Sequence, residues 1–333
     1  MSDHSAIEWT DATWNPVTGC SRVSPGCANC YIERTPPFRI EGRRFVRVGV
    51  EDTTGVRLHP ERLEQPLRWR KPRRVFVCSL ADLFHEDVPD EYIARVFAAM
   101  ALAPRHTFQV LTKRPERARA YLDERRKDAI HDTIDNGGLD FKLPAEVLRL
   151  LSSARNSWSP YFRWPLPNVW LGVSIENARH TWRADVLREI PAAVRFISAE
   201  PLLGSLFDHA HSPLCPRSVS VAGECRRISC KAPLDLTGID WLIVGGESGP
   251  GARPMHPEWA RELRDACLAQ CWGCRNGFDM ELYSFVGAID HADDEPCTRS
   301  TAFFFKQVGG KTPKSGGRLL DGRTWDEMPV GRS

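Results

Sequence analysis

Short apolar runs that end in polar residues, each followed by a stretch of helical periodicity, recur along this chain. Val75-Phe76-Val77-Cys78 leads to Ser79 and Asp82, and a helix is predicted from Asp90 to Leu102. Phe108-Gln109-Val110-Leu111 leads to Thr112-Lys113-Arg114, with Pro115 at the predicted helix start. Val169 to Val173 leads to Ser174-Ile175-Glu176-Asn177 and another helix, and Val194 to Ile197 ends in Ser198-Ala199-Glu200-Pro201. Trp241 to Val244 ends in Gly245-Gly246-Glu247-Ser248 before a helix from Glu258 to Ala269, and Phe303-Phe304-Phe305 ends in Lys306-Gln307. An opening strand is expected over Trp14 to Val17. Strands apolar on both faces and alternating with helices imply a parallel sheet covered by helices. The class is α/β, and roughly seven such units fit a complete or open TIM-like (β/α) barrel, although a doubly wound sheet has the same periodicity.

At 333 residues the chain is expected to form a single barrel domain over 1–333. Insertions interrupt the rhythm at 34–74, 131–167 (with a short helix near Ala145 to Ala154), 205–237 and 271–300. A hydrophobic share of 42% with 26% charged residues describes a soluble globular protein. No run approaches the ~20 apolar residues of a membrane span, and the polar N-terminus lacks a signal-peptide pattern. Eleven cysteines without such a signal indicate thiols and metal ligands in a reducing cytoplasm. A net charge of +2 names no partner.

The cysteines change the picture most. Cys20, Cys27 and Cys30 form a C-x6-C-x2-C pattern in a loop with Gly19, Pro25 and Gly26. Three thiolates on one loop can hold three irons of a [4Fe–4S] cube and leave the fourth open to a substrate or cofactor. The same spacing, completed by a distant His or Cys, also suits zinc. A second group, Cys271, Cys274 and Cys297, with Cys267 or one of Cys215, Cys225 and Cys230, could bind an auxiliary cluster or zinc. Cys78, in an apolar run, reads as a buried small hydrophobe.

Glu8 to Cys20 together with Gly26-Cys27-Ala28-Asn29-Cys30-Tyr31 closely resembles the phage-associated three-cysteine-motif family, regarded as radical-SAM-like. Gly245 to Pro250, Phe303 to Gln307 and Leu320 to Pro329 match as well. The resemblance implies a [4Fe–4S] cluster that binds S-adenosylmethionine at its open iron, an electron donor of flavodoxin or ferredoxin type, and a nucleotide or DNA base as substrate. Radical-SAM enzymes commonly space these cysteines C-x3-C-x2-C, and the first gap here is six residues. Gly245-Gly246-Glu247 is similar to their Gly-Gly-Glu element, which receives the amino group of S-adenosylmethionine, but it follows a late strand.

Barrel chemistry gathers at the C-terminal strand ends. The expected cofactor-binding set is therefore Ser79, Asp82, Lys113, Ser174, Glu176, Glu200, Glu247 and Ser248, with Arg114 and Lys306 as further cations there. Two glycines before Glu247 would let a ligand approach closely. Asp82 and Glu176-Asn177 suit helix capping equally well. Arg68-Trp69-Arg70-Lys71-Pro72-Arg73-Arg74 combines cations with a ring, as nucleic-acid grooves do. The alternative function is a zinc-stabilised nucleic-acid-binding protein without redox catalysis; a third is a redox sensor whose cluster gates a partner.

Overall fold

The structure, a computed structural model, describes residues 5–48, 51–123, 130, 132–134, 163–207, 234–269, 301–312 and 314–329. The helix expected near Ala145 to Ala154, and Cys215, Cys225, Cys230, Cys271, Cys274 and Cys297, lie outside the described residues. In chain order the strands are β1 (Ala12–Trp14), β2 (Val17–Thr18), β3 (Val46–Val48), β4 (Glu51–Thr53), β5 (Arg57–Leu58), β6 (Arg74–Val77), β7 (Thr107–Thr112), β8 (Val169–Ser174), β9 (Val194–Ala199), β10 (Trp241–Gly245) and β11 (Ala302–Gln307). The helices are α1 (Pro36–Ile40), α2 (Gln65–Arg68), α3 (Asp90–Ala101), α4 (Pro115–Tyr121), α5 (Trp182–Arg188) and α6 (Pro257–Leu268).

Seven strands hydrogen-bond in the order β1-β6-β7-β8-β9-β10-β11, and the pairings with a defined register, β1·β6, β6·β7, β7·β8 and β10·β11, are parallel. Strand neighbours in this sheet follow chain order, as crossover connections between parallel strands produce. The α/β expectation therefore holds. Among the described residues no helix is long and apolar enough to cross a membrane. By contact density the chain divides into one unit of Met1–Ser174, Asp185–Phe196 and Gly331–Ser333 and a second of Ile175–Ala184 and Ile197–Val330.

In the first unit the opening strand lies earlier than the pattern predicts. It is Ala12–Trp14, and Val17–Thr18 instead pairs antiparallel with Arg57–Leu58. Pro16 has no N–H for a ladder, and its carbonyl turns away to accept from His59 N (2.8 Å) and Tyr92 Oη (3.0 Å). Cys78 is buried as expected, but it stands just past β6 at φ +58, a left-handed conformation uncommon for a side-chain-bearing residue. Helix α3 starts with Asp90 and Glu91, whose charge suits its N-terminus, and buries most of its length. Segment 34–74 carries α1, α2 and the hairpin β3–β4. Trp69 is buried, edge-on to His106 and under the Arg73 guanidinium, while Arg74 pairs with Asp11 and Arg68 with Glu64. The ring read from sequence as a stacking face for bases belongs to the core.

In the second unit α6 buries Ala260, Leu263 and Cys267, spaced three and four residues apart on one face. Cys267, a candidate extra metal ligand by sequence, is fully buried on that apolar stripe. Residues 320–328 cover the outer edge of β11: Phe305 N donates to Trp325 O (2.8 Å), and Phe303 N donates to the Glu327 carboxylate (2.9 Å). An open edge would invite pairing with other chains, so the Leu320 to Pro329 block has a structural role.

His106 gives the first unit a definite acid response. Its Nε2 donates to Pro66 O at 3.0 Å, its Nδ1 is buried without a partner, and burial holds its pKa below the usual histidine value. His59 and His85 are lowered by burial in the same sense. A histidine depressed on folding contributes stability fully present above its unfolded pKa, about 6.5, and lost as pH falls through the folded value. Urea midpoints are therefore expected to fall between pH 7 and pH 5, with a shallower slope in His106→Gln. Equal slopes in wild type and variant contradict the assignment.

Candidate functional site

The cysteine loop leaves β2 through Gly19, whose φ of +99 is disfavoured for any other residue. A Cβ there would stand 1.7 Å from Gly55 O, so glycine is required both by conformation and by space. Gly19 N donates to Leu80 O (2.9 Å). Cys20 is clasped through its backbone, N to Thr54 Oγ1 (3.0 Å) and O from Thr54 N (3.0 Å). The Arg43 guanidinium reaches Thr18 O and Gly55 O from the inserted segment. Arg22 pairs with Asp52 at 2.5 Å and donates to Cys27 O at 3.1 Å. Tight turns at Pro25–Cys27 and Tyr31–Arg34 flank the remaining two cysteines, and Cys30 N donates to Cys27 O (3.2 Å). Cys20, Cys27 and Cys30 are half-buried and free of disulfides.

Below the loop lies a buried ion pair. Asp82 takes Thr112 Oγ1 (2.8 and 3.0 Å), Phe84 N (3.0 Å), Lys113 N (3.0 Å) and Arg114 Nη1 (3.2 Å). Arg114 continues with Nε to both Glu86 oxygens (3.0 and 2.9 Å), Nη2 to Ser21 O (3.4 Å) and Nη1 to Cys20 Sγ (3.8 Å). Burial pushes the Arg114 pKa down, but Asp82, Cys20 and Glu86 outweigh it, so the guanidinium is held above its ordinary value. Ser21 Oγ meets His85 Nε2 at 2.8 Å, and His85 Nδ1 accepts from Asp87 N (3.1 Å), which leaves the ring proton on Nε2.

The thiols respond to this setting. Burial pushes Cys20 up to about 12; Asp82, Cys27 and Cys30 add to the rise and Arg114 opposes it. Burial likewise pushes Cys30 up to about 11, with Lys113 and Arg22 pulling it down. Cations from two segments lie near the thiols, Arg22 of the loop itself and Lys113 and Arg114 of the turn after β7. At neutral pH Cys20 and Cys30 stay protonated in the metal-free protein, and metal uptake would release their protons.

Among the described residues no three His, Cys, Asp or Glu side chains converge where one ion could be held. A cube makes a different demand, because each thiolate takes its own iron and the sulfurs share a volume and not a point. The free thiols on one loop and the Arg114 guanidinium beside the Cys20 sulfur fit such an anionic group.

The other sequence-predicted residues divide between the units. Ser79, Asp82, Lys113 and Ser174 belong to the first. Ser79 Oγ donates to the Asn15 side chain (3.1 Å) and its carbonyl accepts from Tyr31 Oη, while Lys113 Nζ donates to Ser174 Oγ (2.9 Å). Asp82 is spent on the ends of β7 and on Arg114, so it acts as an anchor. In the second unit Glu176, fully buried, pairs with Arg183 (3.1 Å), and Asn177 caps the turn after it. Glu200 pairs with Lys306 (2.6 Å), and Glu247 takes the Arg253 guanidinium at 2.5 and 2.9 Å. Ser248 bridges Gly310. A Cβ on Gly246 would lie 1.9 Å from Val308 O, so this glycine admits the chain after β11 and not a ligand. Gly245 to Pro250 and Phe303 to Gln307 thus interlock with each other.

Sequence reasoning did not single out Thr54, Arg43, Arg22 or His85. Their signal is a hydrogen bond to a residue 25 to 64 positions away in the chain. Gly19→Ala is expected to cost roughly 2–4 kcal/mol through strain and overlap with Gly55. Urea unfolding measures this, and an unchanged midpoint would show that the loop does not depend on that contact.

No curated protein and no solved structure matches the chain. One family matches residues 4–272 of 333, well over half of the sequence. By that match the chain belongs to DUF5131, described as a protein of unknown function.

Proposed function

We propose that this protein is a radical-SAM-like iron–sulfur enzyme on an open TIM-like barrel, with Cys20, Cys27 and Cys30 as the ligands of a [4Fe–4S] cluster. The observation that carries the reading is three thiols free of disulfides on one clasped loop, with the Arg114 guanidinium 3.8 Å from the Cys20 sulfur. Resemblance to the phage-associated three-cysteine-motif family supports the same class. A cluster held by Cys20, Cys27 and Cys30 would supply one-electron chemistry for reductive cleavage of S-adenosylmethionine.

This chain's residues have defined tasks in that scheme. The Gly19, Thr54 and Arg43 contacts hold the loop in shape, and Arg114 and Lys113 offset the negative charge of thiolates bearing a cluster. Lys113, oriented by Ser174, is the cation we assign to the carboxylate of S-adenosylmethionine. We do not assign Asp82, Glu176, Glu200 or Glu247 to ligand binding, because their carboxylates serve the internal pairs described above. A nucleotide or nucleic-acid base is proposed as substrate on the phage association of the resembling family, with a flavodoxin- or ferredoxin-type donor in the cytoplasm.

Anaerobic reconstitution with iron and sulfide, followed by reduction in the presence of S-adenosylmethionine, tests the proposal. The wild type is expected to form 5′-deoxyadenosine and the Cys20/Cys27/Cys30 triple alanine variant none. Cys27→Ala alone is expected to lose iron while keeping the wild-type melting curve within a few degrees. Zinc in place of iron in the purified protein, or full iron in Cys27→Ala, would overturn it.

A further inference from the structure

We propose that Arg114 sets the reduction potential of the cluster by aiming a guanidinium N–H at the Cys20 sulfur. The inference rests on the iron–sulfur reading of the cysteine loop and adds a role for a residue outside it.

The geometry is specific. Arg114 Nη1 stands 3.8 Å from Cys20 Sγ and 3.2 Å from Asp82 Oδ2, so one nitrogen serves both a carboxylate and a sulfur. Nε is committed to Glu86 and Nη2 to Ser21 O, the carbonyl directly after Cys20. The fork therefore cannot swing away without breaking four contacts. Only 6% of the Arg114 side chain is exposed. Away from water, a charge-assisted hydrogen bond to sulfur is screened little.

The sign follows from charge. Reduction adds one electron to the cluster and neither forms nor breaks a bond, so the reduced state carries one more unit of negative charge on the irons and sulfurs. A fixed cation beside one ligand sulfur stabilises that state and raises the potential. Asp82, whose Oδ2 shares Arg114 Nη1 with the Cys20 sulfur, is a buried anion at the same point and acts in the opposite sense. Glu86, 65% exposed, is screened by solvent and acts chiefly by orienting Nε. At the Cys20 sulfur the contribution is the balance of one buried cation against one buried anion.

A purely structural Arg114 would alter stability or iron content but not the potential of whatever cluster remained. Dithionite titration of the reconstituted protein, followed by electron paramagnetic resonance, separates the two. Arg114→Gln is expected to lower the midpoint potential by about 59 mV or more, a tenfold change in the one-electron equilibrium. Arg114→Lys keeps the charge and is expected to fall between Gln and wild type. Asp82→Asn is expected to shift the potential upward. Arg119→Gln, which removes a solvent-exposed partner of Glu189 on α4, is the control and should shift nothing.

If Arg114→Gln fails to take up iron, the opposite displacements of Arg114→Lys and Asp82→Asn from wild type still decide the matter. Unchanged potentials in the loaded variants, or shifts of one sign for both sites, overturn the inference while the cluster stands. A wild-type protein without iron or sulfide instead overturns the iron–sulfur reading and this inference with it, and metal analysis alone identifies that case.

Discussion

The buried Asp82–Arg114 pair is the contact on which the first unit's polar architecture depends. Both side chains are almost inaccessible, and together they join the end of β7 to the turn after β6 and to Cys20. Desolvation makes such a pair expensive unless nearly every remaining donor and acceptor is satisfied, and here Thr112, Phe84, Lys113, Glu86 and Ser21 supply the partners. Removing one member of a buried pair typically costs about 3–5 kcal/mol, because a charge is left behind without compensation. Stability and the proposed chemistry thus meet at one residue. The guanidinium that neutralises Asp82 also stands 3.8 Å from the Cys20 sulfur.

The second unit uses charge differently. Glu176–Arg183, Glu200–Lys306 and Glu247–Arg253 close its strand ends with internal pairs. Gly245, Gly246, Gln307 and Val308 interlock so tightly that backbone occupies the space a ligand would need at Gly246. Three blocks that carry the family resemblance, Gly245 to Pro250, Phe303 to Gln307 and Leu320 to Pro329, therefore have packing and edge protection as their evident physical work.

Much of the sheet was legible because parallel strands buried on both faces leave continuous apolar runs, as in β6, β8 and β10, and because α3 and α6 carry Pro and acidic start signals. The first strand was misplaced because Pro16 interrupts a run that looks continuous in hydropathy. Spacing alone singled out the cysteine loop as a candidate ligand set, but not the contacts that hold the loop in shape. Thr54, Arg43 and His85 act through contacts distant in sequence, which no local period encodes. Asp82 and Glu247 carried the right chemistry for ligands, yet only the structure reveals that Arg114 and Arg253 already hold them. Trp69 looked like a stacking platform for the same reason: sequence gives the ring but not its burial.

The central claim is that three thiolates hold a four-iron cube with one iron left open. Mössbauer spectroscopy of the ⁵⁷Fe-reconstituted wild type, with and without S-adenosylmethionine, tests it most directly. The account predicts a cluster in which one iron in four changes its isomer shift when S-adenosylmethionine is added, the other three staying as they were. Four irons indifferent to the addition, or a protein that retains no cluster, would contradict it.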